Sequence, residues 1–287
     1  MLAIFKRETR SYFTSMIGYV VIGVILAFIG LYYSANCLIY GTSDFSIILY
    51  STTLVMLFVL PALSMRSFAD ERRNKTDQLL LTSPVTIPQI VMGKYLAQLV
   101  VFAVPMAVAC IMPLILTAFG TVSLVNAYST LLAYFLLGAS CIAVGTFISV
   151  LTENQIIAYL ATFGVLLIAY LMESVQSLFT SGNTLAFIVF CIVLALASVL
   201  IGLLCKSLTV GCGIFCGGAV ALILLFQLRP AWLLSAFNSI LDALALFTPF
   251  ETFVGGMFSL STIVYYLSVI GLFLFLTGQA LERRRWN

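Results

Sequence analysis

Between Tyr95 and Thr152 the chain runs for 58 residues without an Asp, Glu, Lys or Arg. A soluble core never needs so long an uncharged run, whereas a helix that crosses a bilayer needs about 20 apolar residues in succession. The rest of the chain is of the same kind, 63% hydrophobic and 8% charged with a mean hydropathy of +1.19. Such a composition predicts an all-α polytopic membrane protein. At the start, Lys6, Arg7 and Arg10 precede an apolar run as they would in a signal peptide. That run passes residue 35 without a small-residue cleavage site, so it is expected to be retained.

Uncharged runs bounded by polar or turn residues predict eight spans, near 17–40, 45–66, 90–118, 124–151, 156–178, 184–205, 208–228 and 261–281. Lys206 is the single charge marking the turn between the sixth and seventh, so a six-span chain with a re-entrant hairpin at 184–228 is the alternative count. If residues 1–15 lie in the cytoplasm, every Lys and Arg except Arg229 falls on that side, which orients the chain with both termini cytoplasmic. Before the last span, residues 229–258 are broken by Pro230, Asp242, Pro249 and Glu251. They read as external helices at the interface, with Trp232 as an aromatic anchor. "KRETRSYF", short, basic and amphipathic, reads as an elbow helix along the inner leaflet, held by anionic lipid headgroups.

Several chemistries are excluded at once. Without histidine there is no imidazole metal site, Ser-His-Asp triad or histidine proton relay. The seven cysteines lie almost entirely in apolar runs, without the spacing of a disulfide framework, and read as small buried residues. No G-x-x-x-x-G-K-[ST] occurs, so the chain is expected to bind no nucleotide itself. "GIFCG" at 213–217 has the GxxxG spacing that lets membrane helices approach, either within the chain or at a dimer seam.

Two polar segments interrupt the apolar sequence on the cytoplasmic side. "TENQ", Thr152, Glu153, Asn154 and Gln155, fits a tight turn in which Thr152 caps the next helix and Gln155 reaches back. Residues 67–89 carry charges of both signs in Asp70, Glu71, Arg72, Arg73, Lys75 and Asp77, and a purely orienting loop would be basic only. Thr76 and Gln78 lie among them; then come Leu79, Leu80 and Leu81, Thr82, and Pro84 as a stop. The segment reads as a short helix with a charged face and a leucine edge, suited to dock in a groove of a soluble protein.

"FADERRNKTDQLLLTSPVTIPQIVMGKYLA" resembles the segment between the second and third spans of ABC-2-type permeases, the membrane subunits of a class of ATP-binding-cassette exporters. "FISVLTENQIIAYLATF" and "LFTPFETFVGGMFSLSTIVYYLSVIGLFLFLTGQALERRRW" resemble the GldF-like branch, named for gliding motility. The resemblance implies one permease domain over 1–287, with an elbow at 1–15 and a coupling segment at 67–89; an extra hairpin and external segment at 173–240 departs from the family. The family's fold has six helices, so the hairpin within 173–240 adds two spans beyond those the resemblance implies, and the resemblance does not cover its role. It implies a bacterial cytoplasmic membrane location, two copies of an ABC ATPase subunit that bind the ATP and Mg, and a second permease chain, identical or similar. An auxiliary extracytoplasmic protein is a further possible partner, and no nucleic acid is expected. Many relatives carry Gly-Thr-x-Glu where this chain has Lys75-Thr76-Asp77-Gln78, so Asp77 is expected to supply the missing charge.

Two other classes fit less well. An ion-coupled secondary transporter needs ionisable groups at mid-membrane, and Glu153, Glu173 and Lys206 all fall at expected span ends. A membrane-embedded enzyme needs a nucleophile with a base or a metal cluster, and no such set is present, so no catalytic or metal-binding residue is assigned.

Overall fold

In the computed structural model, the described residues are 1–42, 44–75, 85–118, 121–179, 239, 242 and 245–285. Contacts divide the chain into two compact units, Met1–Ile168 with Phe247–Asn287, and Ala169–Leu246. The second unit brackets the 173–240 segment. The expected spans at 184–205 and 208–228, the GxxxG motif and Trp232 lie outside the described residues.

Among the described residues all regular structure is helical, and six helical stretches are long and apolar enough to cross a membrane. These are Met16–Cys37, Phe45–Arg73, Ile87–Thr117, Leu124–Leu151, Gln155–Met172 and Leu260–Arg283, at or close to six of the expected spans. The helices are α1 (Leu2–Thr14), α2 (Met16–Tyr33), α3 (Phe45–Ser64), α4 (Arg66–Arg73) and α5 (Ile87–Ala109). They continue with α6 (Met112–Thr117), α7 (Leu124–Leu151), α8 (Gln155–Phe179), α9 (Thr248–Val254) and α10 (Leu260–Arg285). The last turns of the first span, Ser34–Ile39, widen into a π-helix.

α1 covers the segment expected to form an elbow. Ser15, in an extended conformation, ends it and begins α2. The bend is tight because Gly18 lies against the Tyr12 carbonyl oxygen; a Cβ there would overlap that backbone atom.

α7 is the axis of the first unit. The most apolar part of its span is 78% buried, against 17% for that of α10. Two glycines permit this. Gly138 faces the Phe102 ring of α5, and Gly145 faces Ser64 at the end of α3, each so closely that a Cβ would overlap its neighbour. Helix association in lipid depends on such close packing, since lipid tails are as apolar as leucine.

The "TPFETF" sequence, expected at the external interface, forms α9 and packs on the spans. α9 inserts Phe250 and Phe253, both fully buried, against α3 and α7. Phe250 lies 5.9 Å from the Tyr134 ring. Thr130 Oγ1 donates to Phe253 O at 3.2 Å, and Tyr50 OH donates to Glu251 Oε1 at 2.8 Å. The two phenylalanines one turn apart form one apolar face of α9, and that face is the one that packs against the protein.

Candidate functional site

The sequence concentrates its mixed charges at one end of the helices, and the structure turns Glu71 and Arg72 among them inward. α3 and α4 form one long span, so Asp70, Glu71, Arg72 and Arg73 stand on the tail of the second span and not on a separate helix. This corrects the expectation of a single short helix running on to Pro84. Helix α4 ends at Arg73, and Lys75 follows in the left-handed region at φ 55. That region favours glycine. Thr76, Asp77, Gln78, Leu79, Leu80, Thr82 and Pro84 lie outside the described residues.

Lys94 is the centre of the cluster. It sits two turns into α5 and is 1% exposed. Its Nζ donates to Ser67 O at 2.7 Å, approaches Glu71 Oε1 at 3.0 Å and reaches Glu8 Oε1 at 3.4 Å. Three donors meet three acceptors, which is the capacity of an ammonium. The Phe68 ring, 5.0 Å from Nζ, adds a cation–π contact.

Arg7 closes the cluster from the water side. Its guanidinium bonds Glu8 at 2.7 Å and Glu71 at 2.9 Å. The hydrogen bond to Glu8, with the charges of Glu8 and Glu71, raises the Arg7 pKa above its ordinary value. Two cations and two carboxylates thus balance where three helices meet, α1, α4 and α5. Balance is required because a buried ammonium without counter-charge costs several kcal/mol, on the order given for buried ions. A cleft of about 700 Å³ opens beside the cluster, walled by Arg7, Glu8, Asp70, Glu71, Asn74 and Lys94 among others.

A second tie runs from α4 to the turn between α7 and α8. Arg72 donates to Val150 O at 3.0 Å and pairs with Glu153 at 2.5 Å. The turn itself differs from the expected capping box. Thr152 is the extended residue ending α7, and its hydroxyl turns back to Ile148 O at 3.4 Å. Asn154 caps α8 instead, its side-chain oxygen accepting from Ile156 N at 2.9 Å. With α8 starting at Gln155, Glu153 lies before the cap and is left to meet Arg72.

Of the expected site residues, Glu71, Arg72 and Glu153 are therefore engaged within the chain, and Asp70 pairs with Arg66 at 3.0 Å. Arg73 and Lys75 face outward and are exposed. Glu8, Arg7 and Lys94 were not read from sequence as one site. The available signal was a lone lysine two turns inside an otherwise uncharged span, which demands a counter-charge. Among the described residues no three metal-ligating side chains gather.

Residues 38–179 match the family model described as ABC-2 family transporter protein. The match covers α3 to α8 and so includes Glu71, Arg72, Lys94 and Glu153. It supports an ABC-2-type permease, the membrane subunit of a transporter. No curated protein and no solved structure matches the chain.

Proposed function

We propose, on the premise of an ABC-2-type permease, that this chain is the membrane subunit of an exporter driven by ATP that a separate subunit hydrolyses. Two ATPase copies and a second permease chain complete the assembly, and the ATP and Mg sit on the ATPase. The charged end of the helices faces the cytoplasm of a bacterium, and the membrane is its cytoplasmic membrane. The GldF-like branch is the closer assignment, carried by the "TENQ" and "TPFETF" regions.

The observation that carries the reading is the division of charge on α4 and the residue after it. Glu71 and Arg72 turn inward and fix the segment to α1, α5 and α7, while Arg73 and Lys75 face outward. A segment so anchored transmits a push from a docked protein into several spans together. The docking surface is then Arg73, Lys75 and the following Asp77, Leu79 and Leu80, with the inward residues as its mount.

Co-purification with the ATPase is the test. Replacing Arg73 and Lys75 by Glu and Leu79 and Leu80 by Ser removes apolar contact worth about 1.5–3 kcal/mol per fully buried leucine, and the ATPase is expected to dissociate from a folded, inserted permease. If co-purification and transport survive all four substitutions, the segment only orients the chain. Cysteines at positions 75 and 284 are expected to resist impermeant reagents applied outside cells, and the chain alone is expected to bind no ATP.

A further inference from the structure

The second span is interrupted where it meets the charged end. α3 stops at Ser64 and α4 starts at Arg66. Met65 between them keeps helical backbone angles, φ −55 and ψ −34, and its N–H bonds Pro61 O at 2.9 Å, but the hydrogen-bond ladder is broken around it. Such a break leaves N–H groups and carbonyls on either side of it in need of other partners. Side chains from three other helices take them up. Ser149 Oγ of α7 accepts from Phe68 N and Ala69 N at 3.1 Å each and donates to Met65 O at 3.0 Å. Tyr12 OH of α1 donates to Leu63 O at 3.2 Å, and Lys94 of α5 takes Ser67 O.

The Ser149 contacts differ in kind from the other two, because one hydroxyl serves both sides of the break. It acts as an N-cap supplied by another helix, doing for α4 what a capping serine does within one chain segment. Gly145, one turn earlier on α7, makes room for the approach by leaving space against Ser64. Further along α4, Arg72 grips Val150 O and Glu153. α4 is thereby fastened to the end of α7 at both its start and its finish, whereas its continuation into α3 passes through the break at Met65.

We propose that Ser149 is a positioning residue that joins α4 and the 149–153 end of α7 into one block, which pivots on α3 at Met65. This rests on the reading of α4 as the mount of the ATPase-docking surface. Displacement of that surface is then delivered to α7, the central span, among the spans to which α4 is tied, and not along α3.

Hydrogen exchange of the purified chain in lipid nanodiscs reads the clasp without any ATPase. Ser149→Ala is expected to speed exchange at Phe68 and Ala69 about tenfold while Phe45–Leu60 stays unchanged. Should that variant not fold, Arg72→Lys is expected to speed exchange within Ser67–Arg73 alone. Unchanged exchange at Phe68 and Ala69, or equal acceleration over all of 45–73, overturns the proposal.

Delivery of motion is read in the ATPase complex with spin labels on Arg73→Cys, Leu151→Cys and Leu54→Cys. Between the nucleotide-free and vanadate-trapped states the 73–151 distance is expected to hold while the 73–54 distance changes. The reverse pattern shows α3 and α4 moving as one rod and overturns the proposal. Failure to recover any ATPase counts against the permease reading, and the exchange result still decides the clasp.

Discussion

Lys94 Nζ and Glu71 Oε1 stand 3.0 Å apart between the start of the third span and the tail of the second, with the lysine buried and the carboxylate 17% exposed. The pair is held in register by Ser67 O on one side and by Glu8 and Arg7 on the other. It is the point at which α1, α4 and α5 depend on one another.

Lys94→Met tests that dependence. Removing one partner of a buried pair leaves the other charges uncompensated, at a cost of roughly 3–5 kcal/mol for a fully buried pair. Because Glu8 and Glu71 retain some exposure, a loss at the lower end is expected. Thermal unfolding in detergent should show it, and a melting temperature equal to that of the wild type would place the cluster's weight elsewhere.

Tyr12 predicts a pH dependence. Burial, then the nearby Glu8 charge, pushes its phenol above the ordinary value of 10.0, so the folded state holds the proton more tightly than the unfolded chain does. Its contribution is fully present below pH 10 and is lost as pH rises beyond it toward the folded value. Tyr12→Phe is expected to cost about 1 kcal/mol at neutral pH through the lost bond to Leu63 O. It should also flatten the fall in stability above pH 10, and identical alkaline slopes for the two proteins would refute this.

The bend between α1 and α2 is tested by two glycines on one helix. An alanine at Gly18 meets the Tyr12 backbone, which cannot give as a side chain would, so a loss of about 1–3 kcal/mol is expected from overpacking. Gly23 has open space where its Cβ would lie, and Gly23→Ala is expected to cost nothing. Protease sensitivity of the first 15 residues distinguishes the two variants; equal behaviour would mean the bend does not rely on Gly18.

Lys75→Gly should stabilise the chain. A non-glycine residue at φ 55 carries strain of order 1 kcal/mol, which glycine avoids, partly offset by the freer unfolded chain. A gain of about 0.5 kcal/mol in unfolding, without loss of membrane insertion, is the expected result. A loss would show that the lysine side chain contributes more than the backbone strain removes.

The sequence by itself determined the class of the molecule, because 58 uncharged residues in succession leave no choice of solvent. Span positions followed from the same accounting: a helix in lipid must be apolar for its whole crossing, and its bounds are where charge returns. Residue patterns also located the charged segment and the "TENQ" turn. They did not reveal that Glu71 and Arg72 face inward, since a charge on a loop and a charge in a cluster look alike in one dimension. Nor did they show Asn154 in place of Thr152 as the cap, a choice fixed by where α8 begins.

Tertiary structure alone decided which distant residues meet. Lys94 is acceptable inside a span because α1 and α4 bring Glu8 and Glu71 to it, and Ser149 can cap α4 because Gly145 lets α7 approach the end of α3. Both arrangements are long-range: the cost of burying a polar group is written in the local sequence, but the partner that offsets it is found only where helices pack.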